Sequence, residues 1–231
     1  MPILLNESSG NAPVSESLSQ FRLQCLSYAE HLKEAGVTIL PYQDESLPLF
    51  SALPLEAQVK ARAAIQADLS IFDSIKNEGS KLRDSSMHVW RFLRSSELTP
   101  ESDIFDKITD DDVVEVYLAD EHGQRQIFRN LKFLECVSLT VEQLYGMDWR
   151  VSTQREPQYE KAIFDAAMSI MTGEVPGTLP LQIAPHYVQE LNSPGLFTLL
   201  ITMKYLSPIR YHGRVVGALV INHSQVVGTL K

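Results

Sequence analysis

Leu18, Phe21, Cys25, Tyr28 and Leu32 recur at alternating steps of three and four, which lays one apolar stripe along a helix. Gly36 follows where a C-cap glycine belongs. The heptad-like spacing lasts only about two heptads, so the stripe predicts packing on the chain's own core in preference to a coiled coil. Ahead of it, residues 1–14 carry Asn6, Ser8, Ser9, Gly10, Asn11 and Pro13 and read as a disordered lead. Val37 to Phe50, punctuated by Pro41 and Pro48, reads as a connector. A second helix is predicted from near Pro54 through Ala57, Ala61, Ala63, Ala64, Ile65, Ala67, Leu69, Phe72 and Ile75, where alanine favours helix strongly. Asn77-Glu78-Gly79-Ser80 interrupts it. A third follows, with Leu82, Val89 and Leu93 on one face beside Trp90. Thr99-Pro100-Glu101 has the signature of a helix start, which predicts a short helix ending before Asp110.

The period then changes from helical to alternating. Val114, Val116 and Leu118 share one face against Glu115 and Tyr117, which predicts a strand over 113–118. Asp120-Glu121-His122-Gly123 turns the chain into a returning strand over 124–129. Thr140-Val141-Glu142-Gln143 is a capping box that starts a short helix stopped at Gly146. An amphipathic helix is predicted over 159–171, with Ile163, Phe164, Ala167, Ile170 and Met171 on its apolar side. Three strands follow, over 179–191, 196–206 and 215–222, with turns at Ser193-Pro194-Gly195 and Tyr211-His212-Gly213.

The expected fold class is α+β: a helical N-terminal region over 15–109, then over 110–231 a five-stranded antiparallel sheet with helices on one face. The second half resembles the PAS superfamily. The resemblance rests on an ordered set of segments: Phe128-Arg129-Asn130 at the end of the second strand, Phe133-Leu134 through Ser138 to Gly146, and Ser207-Pro208-Ile209 leading into Gly213-Arg214-Val215-Val216-Gly217. Val137 departs from the pattern, standing where a Gly-Tyr pair is common. GAF domains, which finish on a similar Gly-Arg-Val-Val-Gly strand, are the alternative. The resemblance implies a sensory or interaction module that binds a small-molecule effector. It would relay the signal through the helices, as a homodimer formed by the N-terminal helices, to a signalling partner protein. A scaffold without any ligand is the competing expectation.

Charge and cysteine content narrow the field. The net charge of −9 argues against nucleic acid, whose binding needs clustered cations. Cys25 and Cys136 show neither CxxC spacing nor a metal pattern, as expected of buried thiols in a reducing compartment. No apolar run approaches the roughly 20 residues of a membrane helix, and no signal-peptide pattern opens the chain; a cytoplasmic protein is the expectation.

Candidate chemistry is sparse. Phe197, Leu199, Ile201, Met203 and Tyr205 alternate onto one strand face, which in a one-sided sheet faces the helices and any ligand space. Phe164 would close that space from the helix. Tyr145, Trp149 and Arg150 cluster after the short helix and form an effector-facing patch. Asn130 to Glu135 resembles the flavin-attachment motif of LOV domains, but Leu131 replaces the reactive cysteine. No His lies on the 159–171 helix for haem; His186 falls on a strand and His212 on a turn. Asp110-Asp111-Asp112 predicts a solvated turn, since adjacent residues entering a strand cannot converge on one ion. The sequence assigns no cofactor, no metal and no catalytic group.

Overall fold

The structure, a computed structural model, describes residues 14–79, 84–120 and 123–229. The lead expected to be disordered (but for Val14), Leu82 and Glu121-His122 of the expected turn lie outside the described residues. Helix α1 (Val14–Glu34) buries the stripe of Phe21, Cys25, Tyr28 and Leu32. Its end is a Schellman motif: Gly36 takes φ +81°, with Val37 N–H donating to Leu32 O at 2.8 Å and Gly36 N–H to Lys33 O at 2.9 Å. Helix α2 (Pro48–Ser51) is a single turn, and α3 (Leu55–Asn77) is the long alanine-rich helix. Asp84 caps α4 (Ser85–Ser95) through Met87 N–H.

Helix α4 ends as α1 does, but with Glu97 at φ +55° in the glycine position and Leu98 N–H donating to Leu93 O at 2.8 Å. The chain leaves this cap extended. Thr99–Pro100 therefore forms β1, antiparallel to Ile209 and Arg210, where a helix was expected. Proline pushes the residue before it out of the helical region, and pairing with a partner strand decided the outcome. Only the 3-10 turn Phe105–Lys107 remains of the expected helix.

Strands β2 (Val113–Asp120) and β3 (Gly123–Arg129) form the first hairpin. Helices α5 (Leu131–Cys136) and α6 (Val141–Gly146), strand β4 (Thr153–Arg155) and helix α7 (Pro157–Met171) follow. Strands β5 (Leu179–Pro180), β6 (His186–Glu190), β7 (Phe197–Tyr211) and β8 (Arg214–Thr229) complete the chain. The sheet is antiparallel in the order β3-β2-β8-β7-β6-β4, with β1 and β5 also paired to β7. Leu181 to Pro185 is not strand, so the strand expected over 179–191 is two short ones. The β7–β8 hairpin runs further than expected because His212 (φ +48°) and Gly213 (φ +78°) make the two-residue turn that matches strand twist.

Helices lie on both faces of this sheet, not one. One face, with Val114, Val116, Leu118, Phe128, Leu219 and Ile221, packs against Ile71 and Ile75 of α3 and Val89, Phe92 and Leu93 of α4. The other, with Val188, Leu199, Ile201, Met203, Leu206 and Val220, packs against Ala167 and Ile170 of α7. A third core joins α1, α2 and α3 to Leu131, Leu134, Leu139, Val141 and Leu144. The N-terminal helices thus share a core with α5 and α6, and α3 takes part in two cores at once.

Polar side chains fix these layers. Asn130, almost fully buried, caps α5 by accepting from Phe133 N–H at 3.2 Å and also accepts from Val114 N–H at 3.0 Å. Its amide donates to Asp112 O at 2.7 Å. The capping box at Thr140 forms as expected. Glu142 reaches back to accept from Leu49 N–H (2.9 Å) and Phe50 N–H (3.3 Å), closing the open end of α2. Gly217 faces β2 so closely that a Cβ would stand 2.0 Å from Tyr117 O.

Candidate ligand groove at the junction of helices and sheet

Helix α3 crosses the end of the first hairpin with a face of small residues. Ala57, Ala61 and Ala64, spaced four and three apart, align on one side, with Ala67 beside them. Opposite stand β3 (Gln124–Ile127 and Arg129), Phe92 and Leu98 at the end of α4, and the stretch from Leu144 to Arg150. Because alanine carries no side chain beyond Cβ, the two walls do not close over the space before these residues. A groove of about 360 Å³ remains, within the range of roughly 300–1,000 Å³ typical of small-molecule sites.

Tyr145, Trp149 and Arg150 all line this groove. Trp149 is held by its indole N–H donating to Gln124 O at 3.0 Å and by an edge contact with Tyr117 at 5.1 Å. Arg150 forks onto Asp148 at 2.5–3.0 Å, holding that carboxyl below the usual range. The Tyr145 hydroxyl donates to Asp68 of α3, which joins the two walls at the groove's base. Burial pushes the Asp68 carboxyl up to about 6, against the opposing effects of the Tyr145 hydroxyl and the Arg129 guanidinium. The Tyr145 phenol is in turn raised well above its ordinary value by burial and by the Asp68 charge. Arg129 donates to Leu144 O at 3.0 Å and Gln126 Oε1 at 2.6 Å, with its guanidinium 5.9 Å from the Tyr145 ring centre. Next to Asp68 lies a void of about 10 Å³ bounded by Tyr28, His88 and Arg129.

The other expected site residues lie elsewhere. Leu199, Ile201 and Met203 do share a face, but it is packed solid against α7. Tyr205 does not join them: a bulge between Met203 and Tyr205 turns it to the opposite layer and brings Leu206 inward instead. Phe197 sits at the rim of the packed layer, its N–H donating to Glu190 at 3.0 Å. Phe164 is 54% exposed, because Ile163, one residue and about 100° away, faces the sheet in its place. Leu199, Ile201 and Met203, expected to border a ligand space between sheet and α7, are instead members of a buried cluster, and Phe164 points away from it.

One buried acid departs from expectation, and a second is buried as well. Asp110 and Asp111 are exposed as a solvated turn requires, but Asp112 is only 1% exposed. Lys204 Nζ reaches it at 2.8 Å, and Thr109 donates to it from both N–H and hydroxyl. Glu190, fully buried, accepts from Ser138 N–H (2.8 Å), the hydroxyls of Ser138 (2.5 Å) and Ser193 (2.7 Å), and Phe197 N–H. Both carboxyls are tolerated inside because several donors converge on each. His186 donates from Nδ1 to Ala184 O (3.1 Å) and stacks on Tyr159 at 4.4 Å. Burial lowers its pKa, so the ring is neutral. Cys25 and Cys136 are buried free thiols, and burial pushes the Cys25 thiol up to about 12. Among the described residues no group of acids, histidines and cysteines is placed to hold a metal ion, and no helix is long and apolar enough to cross a membrane.

Asp68, Arg125, Arg129 and the alanine face were absent from the sequence-derived site. The alanine spacing was a readable signal for a small-residue wall, although it was read only as helix propensity. Comparisons with protein-family models, with curated proteins and with solved structures find no match for this chain.

Proposed function

We propose that this chain is a PAS-like sensory and interaction module, working by binding without turnover, whose effector seats in the groove between α3 and the β3–α6 wall. The observation that carries this reading is the groove itself, a cavity large enough for a small molecule at the junction of the helical and sheet-bearing halves. The run β3-β2-β8-β7-β6 supplies the five antiparallel strands such a module requires, with β4 as an added edge.

Helix α3 provides the route for a signal. Ala57 to Ala67 line the groove, Ile65 and Phe72 pack against α1, and Ile71 and Ile75 pack against the sheet. A ligand that favours one seating of α3 therefore biases two cores together. The stripe of α1 is consumed inside the chain, so the homodimer that belongs to this reading forms through the outer face, where Leu23 and Leu26 are exposed. A cytoplasmic location goes with the two free thiols.

Native mass spectrometry and an absorption spectrum of the purified protein, with thermal unfolding before and after removal of small molecules, test the reading. A co-purifying ligand whose removal lowers Tm supports it. Protein that carries nothing, and whose Tm no small molecule raises, points to the ligand-free scaffold. One observation favours that second reading: the apolar residues between the sheet and α7 are buried against one another.

A further inference from the structure

We propose that the groove takes an amphipathic organic anion, a flat apolar body ending in one acidic group, with Arg125 as the residue that receives the charge. This rests on the small-molecule reading above and adds the ligand's chemical class.

The body of the ligand is set by the walls. Ala57, Ala61 and Ala64 offer a smooth apolar face on one side; Phe92, Leu98, Ile127 and Trp149 offer apolar and aromatic surface on the other. The head is set by charge. The whole chain is acidic, at −9, yet the groove lining carries Lys60, Arg125, Arg129 and Arg150 against Asp148 alone. Most of these cations are engaged. Arg150 is paired with Asp148, Arg129 is spread over Gln126 and Leu144 O beside Asp68, and Lys60 meets Glu56 across one helical turn. Arg125 differs: it lines the groove, and among the described residues no acidic side chain pairs with its guanidinium. A carboxylate, sulfonate or phosphate entering the groove would meet a guanidinium whose charge no acid among the described residues neutralises.

The test uses two fluorescent probes with the same aromatic body, the anionic 8-anilinonaphthalene-1-sulfonate and the neutral N-phenyl-1-naphthylamine. They are titrated into the full chain and into three variants whose folding is checked by thermal unfolding. Wild type should bind the anion at least tenfold tighter than the neutral probe. Arg125→Glu should weaken the anion at least tenfold and the neutral probe less than twofold, with Arg125→Gln intermediate. Ala64→Leu, which fills the groove from a half-buried helix position, should weaken both probes at least tenfold. Equal affinity for both probes, with no response to Arg125→Glu, overturns the anion assignment and leaves the groove standing. Binding of neither probe, or binding that ignores Ala64→Leu, overturns the groove reading itself.

Discussion

The space between the sheet and α7 and the space between α3 and β3 are both lined by apolar side chains at regular spacing, yet one is full and the other open. Leu199, Ile201, Met203 and Leu206 are buried together with Ala167 and Ile170, with large side chains on both sides. Ala57, Ala61 and Ala64 face a wall whose own large residues are held in place, Tyr145 by its bond across to Asp68 and Trp149 by Gln124 O, so neither swings into the space before the alanines. Volume is left where small residues oppose side chains that hydrogen bonds already hold in place. Apolar patterning identifies a face; it is the size of the facing residues that decides whether the face is core or cavity.

The largest expected effect breaks the packed side of this comparison. Leu206→Ala removes a fully buried side chain and should cost about 2–5 kcal/mol in denaturant unfolding, with probe binding in the groove unchanged. A loss below about 1 kcal/mol would mean that the layer is loose. The groove's base should respond to pH. The Asp68 carboxyl stands at about 6 in the folded chain, above the roughly 3.9 of an unfolded aspartate. Folding therefore favours its protonated form. The stability associated with that proton is full below about pH 4 and is lost as pH rises through about 6, a change on the order of 2 kcal/mol. Asp68→Asn keeps an acceptor for Tyr145 and removes the titration. The stability difference between wild type and this variant, measured by urea unfolding, should shift against wild type between pH 4 and pH 7. A pH-independent difference would contradict the raised carboxyl. The smallest effect sharpens the open side: Ala64→Leu should change stability by no more than about 0.5 kcal/mol, because leucine suits a helix and the half-buried Ala64 faces the open groove. A destabilisation of 2 kcal/mol or more would show that the two walls already touch.

Much of the fold was legible in the sequence because its signals are local. The α1 stripe, Gly36, the capping box at Thr140, the alternation of Val114, Val116 and Leu118 and the turn at His212-Gly213 each act within a few residues, and each formed. Thr99-Pro100 carried an equally local helix signal and lost, since its fate depends on β7 more than a hundred residues away. Tyr205 was misplaced by a bulge, which period-two reasoning passes over. Of the site, Tyr145, Trp149 and Arg150 were found as a cluster following a helix. Asp68, Arg125 and Arg129 were not, because what unites them is the crossing of α3 over β3, a tertiary fact. The covered second face of the sheet escaped for the same reason: α4 and the end of α3 reach it from the far end of the chain.

Hydrogen exchange of the full chain with and without 8-anilinonaphthalene-1-sulfonate tests the central claim, that the ligand space lies at α3 and not at α7. The account predicts slower exchange in α3 between Ala57 and Asp68, in β3 from Gln124 to Arg129, and from Leu144 to Arg150, with α7 unchanged. Protection confined to α7 and β7, with α3 unaffected, would contradict it.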